Sequence, residues 1–162
     1  MQAPYALTKH TRTIENIYSR APYRNDLNPL LELMKTYRSS DLLADLNIKI
    51  IKLVARMLDI HTELYRASDL EGDFGSTVGP RAIPQFLAYL GGTCYITGDG
   101  QGSRRYVDEL EFGRQNIKVE TLNGLEQNIN FENNLNINLQ SSIIHSIAFL
   151  GIDQVNKIIH SV

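Results

Sequence analysis

The segment Thr93–Glu109, TCYITGDGQGSRRYVDE, constrains the fold of this chain more than any other. A short apolar run, Thr93–Thr97, breaks into Gly98, Gly100 and Gly102, and Arg104 and Arg105 follow. Tyr106, Asp108 and Glu109 then open a stretch with helical character. Strand, glycine loop and helix in that order form one unit of a parallel α/β sheet. Glycine lets backbone N–H groups approach an anion closely, and a helix start adds positive potential. Two arginines add charge-assisted donors suited to a phosphate or carboxylate. Gly98, Gly100, Gly102, Arg104, Arg105 and Tyr106 are therefore candidate ligand-binding residues. A glycine cluster after a strand also serves as a plain turn, and loop arginines are commonly solvated. The spacing matches neither the Walker loop nor the full dinucleotide fingerprint.

The rest of the chain extends this α/β reading. Ile14, Ile17 and Tyr18 predict one face of a helix over Thr8–Arg20, stopped by Ala21-Pro22. Asp26 is placed to cap a second helix carrying Leu27, Leu30, Leu31 and Met34. Ser40 or Asp41 starts a third, running to about Leu58 with Leu42, Leu46, Ile50, Leu53, Val54 and Met57 inside. His61–Tyr65 reads as a strand, Ser68–Gly79 as a glycine-rich loop, and Ile83 or Pro84 to Leu90 as a helix ended by Gly91-Gly92. Thr93–Thr97 is a second strand, Tyr106–Gln115 a helix and Ile117–Leu122 a third strand. Asn123–Asn138 is polar, with a weak strand at Asn128–Phe131, and short helices follow at Gln140–Phe149 and Asp153–Ile159. The expectation is one α/β domain over residues 1–162. Residues 8–60 are helical, residues 61–122 form a strand–helix core with about three mostly parallel strands, and residues 123–162 form a polar loop and closing helices. In such a sheet, ligands bind beyond the carboxyl ends of the strands. The loops after His61–Tyr65 and Thr93–Thr97 are expected to face one crevice.

A length of 162 residues suffices to bury one substantial core. Sixteen basic and eighteen acidic side chains give a net charge of −2, which argues against bulk electrostatic binding of nucleic acid. A single cysteine, Cys94, excludes an intrachain disulfide, and its apolar neighbours suggest a buried thiol. No stretch approaches a membrane span, and the N-terminus lacks a signal-type apolar core, so a cytoplasmic location is expected.

Other constellations are weaker. His10, His61, His145 and His160 have no metal-ligand spacing, so no metal site is expected. Asp45 and Asn47 lie among apolar residues of the third helix and are surface groups or site groups. Asp108 and Glu109 suit a helix start electrostatically, a reading that competes with contact to a metal or ammonium group. Arg81, beside a helix start, is positioned for an anion or for solvent. The sequence names no cofactor.

Several ordered phrases resemble the WbqC-like family. Tyr95-Ile96-Thr97-Gly98-Asp99-Gly100 followed by Tyr106-Val107-Asp108-Glu109 is similar to that family's Tyr-Leu-Ser-Gly-x-Gly-x-x-x-Tyr-Leu-Asp-Glu phrase. Lys9–Tyr23 resembles its Lys-His-x-x-Thr-Ile-x-x-x-Tyr-x-x-Ala-Pro-Tyr stretch. Leu43–Ile51 resembles its Leu-Ala-Asp-Leu-Asn helix, and Ser142–Gly151 its closing Ser-Ile-Ile-Asp-x-x-x-x-x-Gly helix. The likeness runs from about Thr8 to the C-terminus. It corresponds to the C-terminal portion of the family; a preceding segment with a first strand and a Gln-Pro-rich turn has no counterpart. His145 stands where the family tends to have Asp, and Asn123–Asn138 lacks the family's proline.

The resemblance implies a transferase of bacterial O-antigen or surface-polysaccharide biosynthesis, such as one attaching a glycyl group to an amino sugar. It points to Asp45, Asn47, Asp108 and Glu109 as candidates for a catalytic base. A nucleotide sugar or an activated acyl donor would supply the phosphate for the glycine loop. The alternatives are a non-catalytic anion-binding or interaction remnant, and a subunit that pairs through a free sheet edge, including with its own copies. A chain without the first segment is expected to show little turnover alone.

Overall fold

The structure, a computed structural model, describes residues 3–37, 42–71, 81–98, 100–121 and 142–161. Eight α-helices and one parallel pair of strands form among these residues. The chain divides into two compact units, residues 1–64 with 131–162 and residues 65–130.

The first unit is helical. α1 spans Ala3–Ile17, beginning earlier than the apolar spacing predicts because Pro4 is tolerated in a first turn. It ends before Arg20, where Ser19 and Ala21 turn back onto the carbonyls of Asn16 and Tyr18. Ile14 and Tyr18 pack toward the core, but Ile17, expected on the same face, is 66% exposed. A single 3-10 turn, Arg24–Leu27, leads into α2, Asn28–Lys35, with Pro29 in its first turn. α3 spans Leu43–Met57. Leu46 is buried, and Val54 and Met57 pack on the core, whereas Leu42, expected inside, is exposed because it precedes the helix. Ser40 and Asp41, the expected caps, lie outside the described residues.

α3 ends with Asp59 at φ 53°, the Ile60 N–H on the Ala55 carbonyl and the Asp59 N–H on that of Arg56. This is a Schellman closure achieved without glycine. α7, Ile143–Leu150, and α8, Ile152–His160, meet at Gly151. The core joins Ala21, Leu27, Leu31, Leu58, Ile147, Ala148 and Val155. At about 25 cal/mol per Å² of apolar surface, burying such side chains is the main favourable contribution.

The corner between α7 and α8 is tied to the segment after α1. The Tyr23 N–H donates to the Ala148 carbonyl at 3.0 Å. The Ile152 N–H donates to Asp26 Oδ2 at 3.0 Å. Asp26 therefore supports the start of α8, 126 residues away, and not the cap of α2 that the sequence suggests. Gly151 has φ +79°, and a Cβ there would lie 2.8 Å from Tyr23 Cδ1. Both the conformation and the close ring demand glycine.

The second unit carries the sheet. α4, Ala82–Tyr89, closes with Gly91 at φ +73° and the Gly92 N–H on the Leu87 carbonyl, as the Gly91-Gly92 pair predicts. β1, Cys94–Thr97, pairs in parallel with β2, Lys118–Thr121, in the register Cys94 to Lys118 and Thr97 to Thr121. Between them lie α5, Gln101–Arg104, and α6, Glu109–Arg114. The helix expected over Tyr106–Gln115 is thus shorter, because the Asp108 carboxylate accepts the Glu111 N–H and fixes the helix start there. α6 ends in another Schellman closure, with Asn116 at φ 56° and the Ile117 N–H on the Phe112 carbonyl.

Among the described residues the sheet has two strands, not about three. His61–Tyr65 is not a strand, and all five residues are exposed. Without a ladder or a buried face, its β-branched and aromatic content cannot hold a strand. Strict alternation along β1 also corrects the expectation for Cys94. Tyr95 and Thr97 turn inward, while Cys94 and Ile96 are exposed. Phe112, 1% exposed, anchors the inner side, with its ring stacked on Tyr95 at 5.1 Å. Residues 72–80 and 122–141, including most of the first glycine loop and the Asn-rich stretch, lie outside the described residues. Among the described residues, no helix is long and apolar enough to cross a membrane.

Candidate functional site

β1 delivers its glycine loop at its carboxyl end. Thr97 is buried, and the next residue, Gly98, is exposed. A Cβ on Gly98 would meet Ser103 Oγ at 3.2 Å, so the loop folds closely onto the first turn of α5. Gly100 is the N-cap of α5, in extended conformation, and its carbonyl accepts the N–H groups of Ser103 and Arg104 at 3.0 and 3.1 Å. The first N–H groups of any helix lack intrahelical acceptors. Here those belong to Gln101 and Gly102 and point off the helix start.

Arg104 and Arg105 close the same short helix, both exposed. They lie about one turn, ~5 Å, along the axis from the amides. Their side chains are long enough to fold back, but the helix does not itself aim them at the loop. Tyr106 follows in a turn and is 51% exposed. Arg81 precedes α4 in the same unit and is exposed.

The four candidates for a base divide. Asp108 is half-buried and occupied by the Glu111 N–H at 3.3 Å, the capping role weighed against a ligand role. Glu109 is exposed in the first turn of α6, with no hydrogen bond or ion pair among the described residues. Asp45 is half-buried in the first turn of α3, and Asn47, two residues on, is exposed. Both belong to the helical unit. No group of three or more His, Cys, Asp or Glu able to hold a metal ion occurs among the described residues.

Three of the four histidines have structural contacts. His145 packs against Tyr18 and Phe149, with ring centroids 5.9 and 4.6 Å away. His160 Nε2 lies 3.2 Å from the Leu58 carbonyl, and exposed His61 lies 3.0 Å from Asp59.

Two motifs singled out in the sequence meet here in space. Tyr18 and Tyr23 come from the first motif, His145 and Gly151 from the last. They join through the Tyr18–His145 ring pair and the approach of Tyr23 to Gly151. These residues hold the helical unit together.

One concavity carries residues that sequence reading did not single out as site candidates. Between α1 and α2 lies a cleft of about 320 Å³, bordered by Thr8, Arg12, Glu15, Met34, Lys35 and Tyr37. Lys35 Nζ reaches Glu32 and Glu15 at 3.0 and 3.3 Å, and these bonds, that to Glu32 foremost, raise its pKa above the usual lysine value. The signal was the polar face of α1, where Thr8, Arg12 and Glu15 recur at helical spacing.

No curated protein matches the chain, and no solved structure matches it. The model of the WbqC-like protein family matches residues 2–156, nearly the whole length. That span includes the strand–glycine–helix loop, the α3 helix and the two motifs that meet in the core. The chain belongs to the WbqC-like protein family.

Proposed function

We propose that this chain is a transferase-related protein of bacterial O-antigen or surface-polysaccharide biosynthesis. In this reading, the loop Gly98–Arg105 holds the phosphate or carboxylate of a nucleotide-linked sugar or an activated acyl donor. The carrying observation is an exposed Gly98 directly after buried Thr97 at the carboxyl end of a parallel strand, with Gly100 opening a helix four residues long. That position is where open parallel sheets place their ligands.

The loop amides bind the anion and act as oxyanion donors if an acyl group is transferred. Arg104 and Arg105 add charge, with Tyr106 and Arg81 as further contacts. Glu109 is taken as the base, since it is exposed and has no hydrogen bond or ion pair among the described residues.

A second reading is a non-catalytic anion-binding or interaction module. It is favoured by Asp108 being committed to capping α6. Calorimetric titration with nucleotide sugars and simple nucleotides tests the anion site. Arg104→Ala or Arg105→Ala should cost about 1.5–3 kcal/mol, roughly tenfold or more in affinity. Equal affinity in both variants removes the loop from the site. Turnover of an activated donor and an amino sugar that is lost in Glu109→Gln, with binding kept, separates the transferase from the binding module.

A further inference from the structure

The described sheet has two strands of four residues each, fewer and shorter than an independently stable sheet usually needs. Among the described residues β2 pairs with β1 alone. The Lys118 N–H donates to the Thr93 carbonyl at 2.9 Å, so Lys118 directs its main-chain groups toward β1. These groups alternate along a strand, so those of Val119 point to the outer edge of β2. Lys118 and Glu120 share the exposed face with their register partners Cys94 and Ile96. Lys118 Nζ and Glu120 Oε1 lie 2.6 Å apart, with both side chains largely in solvent.

Reversing the strand direction exchanges the positions of Lys118 and Glu120 around Val119. We propose that β2 pairs antiparallel with β2 of a second copy of this chain, about a twofold axis at Val119. The two Val119 residues exchange a pair of N–H···O=C bonds. Lys118 then stands opposite Glu120 of the second copy, and Glu120 opposite its Lys118. Both pairs occupy non-hydrogen-bonded positions, where side chains approach most closely. The ion pair within one strand is replaced by two across the axis. The product is a four-stranded sheet in the order β1-β2-β2-β1, and the twofold closes the assembly at two chains.

Charges on an edge strand often prevent pairing. Here they do so for a parallel, in-register partner, where lysine would face lysine, but attract in the antiparallel arrangement. Charge complementarity thus selects both the partner and its direction. This surface is separate from the proposed anion loop, and its test does not depend on that loop.

Sedimentation velocity of the full chain, from micromolar to submillimolar concentration, should show a monomer–dimer equilibrium. Lys118→Glu alone opposes two glutamate pairs across the axis, and Glu120→Lys alone opposes two lysine pairs. Each should weaken dimerisation about tenfold or more. An equimolar mixture of the two single variants should recover the association as a heterodimer, and the double exchange Lys118→Glu with Glu120→Lys should recover the homodimer. Circular dichroism checks that each chain is folded, and the double exchange carries the test if a single variant is not. A monomer at every concentration overturns the proposal. So does equal dimerisation in the single variants, or failure of both the mixture and the double exchange to recover it.

Discussion

At the scale of single residues, the glycines give opposite predictions for the same substitution. Gly151→Ala meets both a positive φ and the Tyr23 ring at 2.8 Å. It should destabilise the chain by about 2 kcal/mol or more in urea denaturation. Gly113→Ala, inside α6 with nothing within 4 Å of the added Cβ, should instead stabilise by about 0.5–1 kcal/mol. The composition of the chain marks both positions as glycine and distinguishes neither. What separates them is a ring contributed from more than a hundred residues away. Lys35 gives a pH prediction. Its pKa is raised by the bonds to Glu32 and then Glu15. A raised folded value means that the stabilisation is fully present below the ordinary lysine value of 10.5 and is lost as pH rises through the raised value. NMR titration of the Lys35 ammonium should show a lower pKa in Glu32→Gln than in the parent, and lower still when Glu15→Gln is added. An unchanged value would mean that the ion pairs do not persist in solution.

At the scale of elements, caps decide where helices begin and end. Removing the carboxylate in Asp108→Ala leaves the Glu111 N–H without its acceptor and should cost about 1 kcal/mol in chemical denaturation. Glu109→Gln, an exposed change one residue on, should stay within about 0.5 kcal/mol. Asp26→Ala should also cost about 1 kcal/mol, and amide exchange should quicken at Ile152 and not at Asn28. This contrast tests the long-range assignment directly. The helical elements were legible because apolar spacing and the Gly91-Gly92 stop are local signals. The partner of Asp26 was not, because an Asx side chain before a helix looks the same whether it caps that helix or a distant one. His61–Tyr65 failed for a related reason: strand residues are recognised by composition, but a strand exists only through its ladder. Cys94 was misread because a continuous apolar run suggests burial on both faces, whereas this strand buries one.

At the scale of the whole molecule, two units rest on different anchors. Leu58 and Phe112 are each 1% exposed, one in each unit. Leu58→Ala should cost about 2–5 kcal/mol and Phe112→Ala about 3–5 kcal/mol. Amide exchange should accelerate first in the unit that carries the change. Family membership was legible because its phrases are spread through the chain, and two of them meet in the helical unit, where Tyr18 packs on His145 and Tyr23 on Gly151. The strand and the glycines after it were legible, but the short helix α5 inside the expected loop Gly98–Arg105 was not. Nor was the reach of the loop's arginines, because α5 ends after four residues and sets them at the far end from the amides. The central claim is that this loop is the ligand site. The most direct measurement is an amide-resolved NMR titration of the whole chain with a nucleotide sugar. Saturable shifts are expected, centred on Gly98, Gly100, Gln101, Gly102 and Ser103 and weakened in Arg104→Ala and Arg105→Ala. Saturable shifts confined to the cleft of Arg12 and Lys35, or no saturable shift at the loop, would contradict that claim.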